Sequence, residues 1–342
     1  MKNSLYDVDA LEKHLTSKGF GGRDRRHIRR DLFRNFMPPE SLECGNQKAE
    51  DLFESFENSY LTLISRIDSN IDGASKLLFE TKDGKRIETV ILRIASGRTS
   101  ICVSSQVGCT EKCRFCATGE LGFLRNLTRE EIIDQVVQAG RILAGEDRSL
   151  RNIVFMGMGE PLRNYDNLEK AIELLTSGQA FHFAAKRITV SSLGIPELIL
   201  KFAERFPDIS LALSLNSSND ARRSEVMPIN EKYPMSALRA MLEKLETIRD
   251  GFVMIEYIMF KDLNDDLNAA TEVAEFLRGL SVHINLIPYN PDYSLNKSFS
   301  PSSNETIDAF KDHLKAEGYK VTRRFSLGQD IAAACGQLAN KV

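Results

Sequence analysis

Residues 101–119 read ICVSSQVGCTEKCRFCATG, and this stretch decides how the rest of the chain is interpreted. A short β-branched run leads into a loop that carries Cys109, Cys113 and Cys116 in the spacing CxxxCxxC. Three closely spaced thiolates favour zinc or an iron–sulfur cluster. None of the five histidines lies within this loop. The simplest interpretation is a four-iron cluster held by three thiolates, with one iron left open for a small molecule.

Two other interpretations of the cysteines stay open from the residues alone. Cys102, seven residues before Cys109, could complete a zinc site, because structural zinc prefers four protein ligands. The cysteines could also be incidental, since a free cysteine packs as a small apolar side chain. The N-terminus shows no secretory signal, so we expect the six cysteines in a reducing compartment, where structural disulfides are rare.

The composition is that of an ordinary globular protein. The chain has 342 residues, 42% hydrophobic and 27% charged, which suits a large domain with a small companion. The net charge of −3 excludes a global basic field, so an RNA partner would have to meet a local basic patch. No run of apolar residues is long enough to span a membrane, and we expect a cytoplasmic protein.

Outward from the cysteines, short strands alternate with amphipathic helices. The predicted strands cover residues 101–104, 152–156, 187–191, 209–215, 252–259 and 282–287. The first helix between them begins at Thr128, which forms a capping box with Glu131. This alternation predicts an α/β fold with a parallel sheet and right-handed crossovers. Six strands are too few for a closed eight-stranded barrel, which leaves a partial barrel or a doubly wound sheet.

The chain before residue 95 has a different pattern. Residues 49–69 place apolar side chains at roughly helical spacing, so we expect the first ~80 residues to be helical. Residues 76–92 instead predict two strands joined at Asp83-Gly84. The predicted domains are a small helical N-terminal domain (1–80), a hairpin lead-in (81–94), a core barrel (95–328) and a C-terminal loop (329–342).

Polar motifs follow the carboxyl ends of five predicted strands. They are the cysteine loop and residues 157–161, 191–194, 214–216 and 289–290. Carboxyl ends of parallel strands meet at one edge, where loops from several strands build a site. Any one motif could merely end a strand. Five of them beside a cysteine cluster indicate a functional site at that edge.

The cysteine spacing, with Phe115 before the third cysteine, resembles the radical S-adenosylmethionine (SAM) superfamily. The resemblance implies a partial (β/α)6 barrel and a [4Fe-4S] cluster on Cys109, Cys113 and Cys116. That cluster would bind the amino and carboxylate groups of SAM and reduce it to a 5′-deoxyadenosyl radical. The further SAM contacts implied by the resemblance are Gly159, Glu160, Ser191, Ser214, Leu215, Asn216 and Asn290.

Five segments narrow the resemblance to the RlmN/Cfr family of radical SAM RNA (adenine) methyltransferases. They are ICVSSQVGC (101–109), FLRNL (123–127), MGMGEPL (156–162), MPIN (227–230) and ACGQL (334–338). The resemblance implies methylation of an adenine carbon in 23S ribosomal RNA, and in some members also of tRNA. It further implies a cytoplasmic monomer that receives electrons from a donor such as flavodoxin.

The same resemblance gives roles to three residues outside the cluster. Cys335 would take a methyl group from one SAM, and a second SAM would convert that group into a methylene radical that adds to adenine. Glu88 would remove the ring proton as general base. Cys102 would then attack Cys335, which releases the RNA and forms a transient disulfide. Taken singly, both cysteines fit buried apolar positions, and Glu88 fits a solvent-facing strand position.

A basic segment offers a possible contact with RNA. Residues 23–34 contain six arginines and two aspartates, and on a helix Arg25, Arg26, Arg29 and Arg30 share one face. Such a face is usually a solvated surface, although an RNA substrate makes phosphate contact credible. Weaker basic pairs occur at residues 186–187, 222–223 and 323–324.

The chain departs from the family at three positions. Asn216 stands where histidine is common, and Leu327 and Gln329 replace an arginine and an aspartate of the housekeeping, C2-methylating branch. We expect C2 of adenine as the target, with C8, the position of the antibiotic-resistance branch, as the alternative. Two other classes stay open: a non-catalytic iron–sulfur protein that binds RNA or senses redox state, and a radical SAM enzyme acting on a small molecule.

Overall fold

A ten-stranded sheet organises the computed structural model, which describes residues 2–42, 52–291 and 299–339. The strands are β1 (Asn3–Ser4), β2 (Phe56–Glu57), β3 (Leu61–Asp68), β4 (Ala74–Thr81), β5 (Arg86–Arg93), β6 (Thr99–Cys102), β7 (Gln106–Gly108), β8 (Phe123–Asn126), β9 (Asn152–Phe155), β10 (Ile188–Ser192), β11 (Ser210–Ser214), β12 (Val253–Met259), β13 (Val282–Pro288) and β14 (Lys320–Arg323). The helices are α1 (Val8–Ser17), α2 (Gly22–Phe33), α3 (Ala117–Glu120), α4 (Arg129–Gly145), α5 (Tyr165–Thr176), α6 (Pro196–Arg205), α7 (Asp220–Val226), α8 (Met235–Ile248), α9 (Leu267–Leu277) and α10 (Asn304–Ala316).

The six predicted strands of the core are confirmed as β6 and β9 to β13. They pair in parallel and in chain order, with helices between successive strands from β9 onward and α4 before β9. The capping box at the start of α4 is also present, because Thr128 accepts from the Glu131 amide and Glu131 accepts from the Thr128 amide. The fold is the α/β partial barrel that the resemblance implied, one of the two arrangements that the alternation had left open. β14 adds a seventh parallel strand beside β13, which the sequence analysis missed.

Beyond β6 the sheet continues in antiparallel strands, in the order β5, β4 and β3. The predicted hairpin is confirmed, since the Asp83-Gly84 turn joins β4 to β5. The helix predicted over residues 49–69 is wrong for Leu61–Asp68, which forms β3; residues 49–51 lie outside the described chain. β3 pairs only with β4 among the described strands and leaves Ile64 43% exposed. The β3–β4 pairing shifts register between Leu63 and Ser65, and this irregularity interrupts the two-residue alternation by which a strand is predicted.

The helical prediction for residues 1–80 holds for α1 and α2, whose buried side chains include Leu11, Leu15, Ile28 and Leu32. The N-terminus is fastened to α4, because the Tyr6 hydroxyl donates to Asp134 over 2.6 Å. The four-part domain division stays a prediction. Among the described residues, none of the helices combines the length and apolar character needed to cross a membrane.

Candidate active site

A cavity of about 440 Å³ opens at the carboxyl edge of the parallel strands. Its lining comes from the ends of β6, β9, β10, β11 and β12, from the cysteine loop (residues 109–116) and from the C-terminal segment (residues 326–339). Ten of the predicted site residues lie in this lining: Cys102, Cys109, Cys113, Cys116, Gly159, Glu160, Ser191, Ser214, Asn216 and Cys335. The side chains predicted from separate motifs therefore meet around one volume of the size that binds small molecules.

The cysteine loop follows β7 and presents three free thiols to the cavity. The Cys109 amide donates to Gly122, and the Cys116 amide donates to the Cys113 carbonyl over 3.1 Å, which closes a tight turn. Burial raises the pKa of Cys109 to about 12 and also raises that of Cys113. Buried thiolates therefore need a positive partner, and a soft cation or an iron–sulfur cluster is the partner such a donor set fits. Among residues 2–42, 52–291 and 299–339, no three His, Cys, Asp or Glu side chains are grouped to hold a single metal ion.

Glu160 lies at the end of β9 with its carboxylate buried at the cavity wall. Its two oxygens accept from the backbone amides of Leu162 at 3.1 Å and Leu193 at 2.9 Å. Burial raises the pKa of Glu160 to about 7, against the lowering effect of those amides. Gly159 has φ +97°, and a Cβ there would stand 2.5 Å from the Gln106 side chain. The tight Gly-Glu turn thus sets the carboxylate beside the cysteine loop.

Asn216 reaches the cavity, but its side chain also ties two strands together. The amide oxygen accepts from the Ile258 backbone over 2.9 Å, and the amide nitrogen donates to the sulfur of Met227. Its φ of +58° suits asparagine better than most residues. Leu215 does not line the cavity; it is buried in the core, and its carbonyl accepts from Arg223. Its predicted contact with SAM would have to use the backbone.

Asn290 also lies outside the cavity lining, contrary to the position expected for a SAM contact. Its amide nitrogen donates to the Ser326 hydroxyl at 3.0 Å and to the Cys335 carbonyl at 3.4 Å. Its amide oxygen accepts from Gln329 at 2.7 Å. In this structure Asn290 therefore holds the C-terminal segment in place.

Cys335 sits on the C-terminal segment, with its side chain exposed to the cavity and close to Cys116 and Arg324. Burial, followed by the charge of Cys335, raises the pKa of Cys102 to about 12, while Arg324 lowers it. Arg324 itself faces Glu256 at 3.8 Å. A cation thus stands beside both thiols, where it stabilises a thiolate. All five described cysteines are free; the sixth, Cys44, lies outside the described residues.

Glu88 does not line the cavity, although Val90 and Leu92 on the same strand do. Side chains two apart on a strand share a face, so Glu88 lies on the cavity side of β5 but beyond the cavity end. Its carboxylate is fully buried, with one oxygen 3.3 Å from the Lys76 ammonium. The other oxygen accepts from the backbone amide of Ala339 over 2.8 Å. The C-terminal segment therefore covers the predicted base.

The arginines of α2 are not equivalent. Arg25 and Arg29 both pair with Glu12, which occupies half of the predicted basic face. The exposed arginines of this helix are Arg23, Arg26 and Arg30. The pair at residues 222–223 is unsuited to RNA contact, because Arg222 pairs with Glu272 and Arg223 is fully buried.

The sequence analysis gave no role in the site to four residues that the structure places there. Lys76 pairs with Glu88, while Arg324 and Glu256 form the charged wall beside the two thiols. Arg223 donates to the carbonyls of Leu193, Ser214 and Leu215 and so fixes the ends of β10 and β11. Arg324 could have been found only if β14 had been predicted, because it follows that strand at the same sheet edge as the other motifs.

Known proteins are similar to this chain over most of its length. The radical SAM superfamily matches residues 103–276. A probable RNA methyltransferase of Rhodopirellula baltica is 49% identical over 92% of this chain and 81% of its own length. A probable dual-specificity RNA methyltransferase RlmN of Pseudothermotoga lettingae is 40% identical over 96% of this chain and 92% of its own.

One solved structure covers nearly the whole chain. The crystal structure of a radical SAM methyltransferase from Sphaerobacter thermophilus superposes with a TM-score of 0.89 at 37% sequence identity. The match covers 99% of this chain and all of that one. The N-terminal helices and the C-terminal segment are therefore part of the shared fold.

Proposed function

The chain belongs to the RlmN-type RNA methyltransferases of the radical SAM superfamily, and from this premise we propose that it methylates C2 of an adenine in 23S ribosomal RNA. A tRNA adenine is the second substrate that the dual-specificity name of its relatives suggests. The proposed site of action is the cytoplasm, where both RNAs are made available. A monomeric state and an electron donor such as flavodoxin stay predictions.

One observation carries the proposal: the cavity that holds the cysteine loop also holds Cys335 and Cys102. A protein that only bound an iron–sulfur cluster would need no further thiols there. Cys109, Cys113 and Cys116 would hold the [4Fe-4S] cluster, and Glu160 would accept hydrogen bonds from the amino group of SAM. When bound, cluster and SAM supply the radical that removes a hydrogen atom from a methyl group.

The chain's own residues do the remaining work. Cys335 would carry the methyl group and become linked through it to the adenine carbon. Cys102 would attack the sulfur of Cys335, so that a disulfide forms as the bond to the RNA breaks. Arg324, between Glu256 and the two thiols, would stabilise the attacking thiolate.

Glu88 would take the ring proton on a carboxylate oxygen. Lys76 keeps the carboxylate paired within the protein, since a buried anion without a partner is costly. The C-terminal segment covers the second oxygen at Ala339, so adenine could approach that oxygen only after the segment moves. The C-terminal segment would therefore shift between methyl transfer to Cys335 and proton removal.

Mass spectrometry of nucleosides tests the proposal. Deproteinised large-subunit RNA and tRNA, from cells lacking this activity, are incubated with the reconstituted holoenzyme, SAM and a reductant. We expect 2-methyladenosine in the ribosomal RNA. Detection of 8-methyladenosine instead would mean that the methylated carbon is C8. The absence of methylated adenosine from both RNAs would contradict the proposed function.

A further inference from the structure

Phe325 is 77% exposed, more than any other large apolar side chain among the described residues. It also belongs to the lining of the catalytic cavity, together with Ser326 and Leu327. A side chain that is both exposed and part of the lining lies at the mouth. Burial of a large aromatic side chain is usually favourable, so an exposed aromatic ring at the mouth of an active site indicates a surface that a bound molecule covers.

The exposure of Phe325 is built into the backbone around it. The preceding residue, Arg324, donates its amide to Leu286 over 2.9 Å. The following residue, Ser326, accepts from Asn290 over 3.0 Å, and the Gly328 amide donates to Asp72 over 2.8 Å. These bonds fix the chain on both sides of Phe325. The ring therefore stands at the mouth as a supported surface.

Cations flank the ring. The guanidinium of Arg323 lies 5.7 Å from the ring centroid, within cation–π distance. That guanidinium also faces Asp308 at 3.7 Å. Arg324, directly before Phe325, lies in the cavity and faces Glu256. An aromatic face beside arginines is the combination with which proteins bind single-stranded RNA, because the ring stacks on a base and the cations meet phosphates.

We propose that Phe325 stacks on the unpaired base next to the target adenine in the substrate RNA. This inference rests on the proposed function. The target base must leave its stack and enter the cavity to approach Cys335. Its neighbour then loses a stacking partner at the mouth, where Phe325 stands. The ring would replace the lost stacking and so hold the RNA strand with its adenine inserted.

Four variants of the full-length holoenzyme test this role: F325A, F325L, F325W and F252A. F325L keeps an apolar side chain but removes the aromatic face, whereas F325W keeps that face. Phe252 is a matched control, because it is 47% exposed, lies 6.0 Å from the Lys320 ammonium and precedes β12 at the opposite edge of the sheet. Filter binding to deproteinised large-subunit RNA gives Kd, and methylation of the same RNA gives KM and kcat.

We expect F325A and F325L to raise Kd and KM about tenfold, the effect of losing one base–aromatic stack. F325W should stay within about twofold of the wild type, as should F252A. The kcat values and the RNA-independent formation of 5′-deoxyadenosine should not change, because Phe325 is exposed at the mouth of the cavity and its proposed role is to hold the RNA.

Several results would overturn the inference. Wild-type binding by F325L would show that apolar contact suffices, and equal losses in F325A and F252A would show a general surface effect. A fall in kcat alone would place Phe325 in the chemistry. If the wild type methylates RNA and F325A matches it, only this inference fails. If the wild type methylates no RNA, the proposed function fails as well.

Discussion

The cysteine loop and the C-terminal segment bring sulfur to the same cavity by different means. In the cysteine loop, the thiols lie within eight residues of each other, and a turn between Cys113 and Cys116 helps to set their spacing. The C-terminal segment has a similar turn around Cys335, where the Gln337 amide donates to the Ala334 carbonyl over 3.0 Å, but its position also depends on distant partners. Asp330 accepts from Ser69, 261 residues away, and Ala339 donates to Glu88, 251 residues away.

The difference shows how the two parts can fail. The cysteine loop is held mainly by bonds among nearby residues, with a distant backbone bond from the Arg114 amide to the Val226 carbonyl. A segment held by distant side chains is positioned only when the whole sheet is folded, and it can move when one anchor is lost. The cysteine loop thus suits permanent ligation of a cluster. The C-terminal segment suits a residue that must approach both a methyl donor and an RNA base.

The largest expected effect is a loss of methylation, and the iron content should distinguish a change in the cysteine loop from one in the C-terminal segment. C113A should lose both iron and methylation, because the loop then offers two thiols to the cluster. C335A should lose methylation by more than about 1,000-fold while retaining about four irons per chain. Elemental analysis and nucleoside mass spectrometry check both variants. Iron loss in C335A would break the comparison, since it would make the C-terminal segment part of cluster binding.

Next in size is the removal of Lys76, which links the C-terminal segment to β4 through Glu88. K76M should lower methylation about 100-fold. Without the nearby ammonium, the buried Glu88 carboxyl takes up a proton and can no longer accept one from adenine. It should also lower the free energy of unfolding by about 3 kcal/mol. Denaturant titration and methylation kinetics measure the two effects.

Two controls sharpen the Lys76 result. K82M removes the exposed partner of Glu57 and should change stability by less than about 1 kcal/mol. The double variant K76M/E88Q should regain stability relative to K76M, because no buried charge is left unpaired, but should stay inactive. Full activity of that double variant would exclude Glu88 as the base.

A smaller effect should follow from the loss of the Asp330 anchor, which accepts from Ser69 at 2.8 Å and from the Asn70 amide at 2.9 Å. D330A should slow methylation about 30-fold through misplacement of Cys335, while the iron content stays unchanged. Hydrogen exchange should increase in the C-terminal segment and not in the cysteine loop. The exposed Asp312 supplies the control variant D312A. Equal exchange in both regions would remove the proposed contrast.

The smallest effect concerns the cysteine side of the cavity alone. The pKa of Glu160 is raised to about 7 by burial, so the carboxyl is protonated below pH 7 and ionised above it. The ionised form accepts hydrogen bonds at both oxygens, so the Kd for SAM should rise up to about tenfold from pH 8 to pH 6. E160Q should show no such dependence, and D330A should keep it. Equilibrium dialysis of the holoenzyme measures these constants.

Much of the fold could be predicted because its signals are local. Most core strands are short runs that contain β-branched residues, and Thr128 with Glu131 marks a helix start within four residues. β3 was mistaken for a helix because a register shift between Leu63 and Ser65 interrupts its two-residue alternation. β14 was missed because Val321 is the only apolar residue among its four residues, which read KVTR.

By itself, the sequence determined the three thiols of the cysteine loop, the parallel strands and the edge at which the polar motifs meet, because each depends on spacing within a few residues. Only the tertiary structure decided that Asn290 holds the C-terminal segment, that Lys76 and Ala339 enclose Glu88, and that Arg324 stands beside two thiols. Those contacts join residues that are not neighbours in the sequence, up to 251 positions apart. No local pattern encodes which buried charge will meet which partner, since the pairing is fixed only when the sheet brings distant strands together.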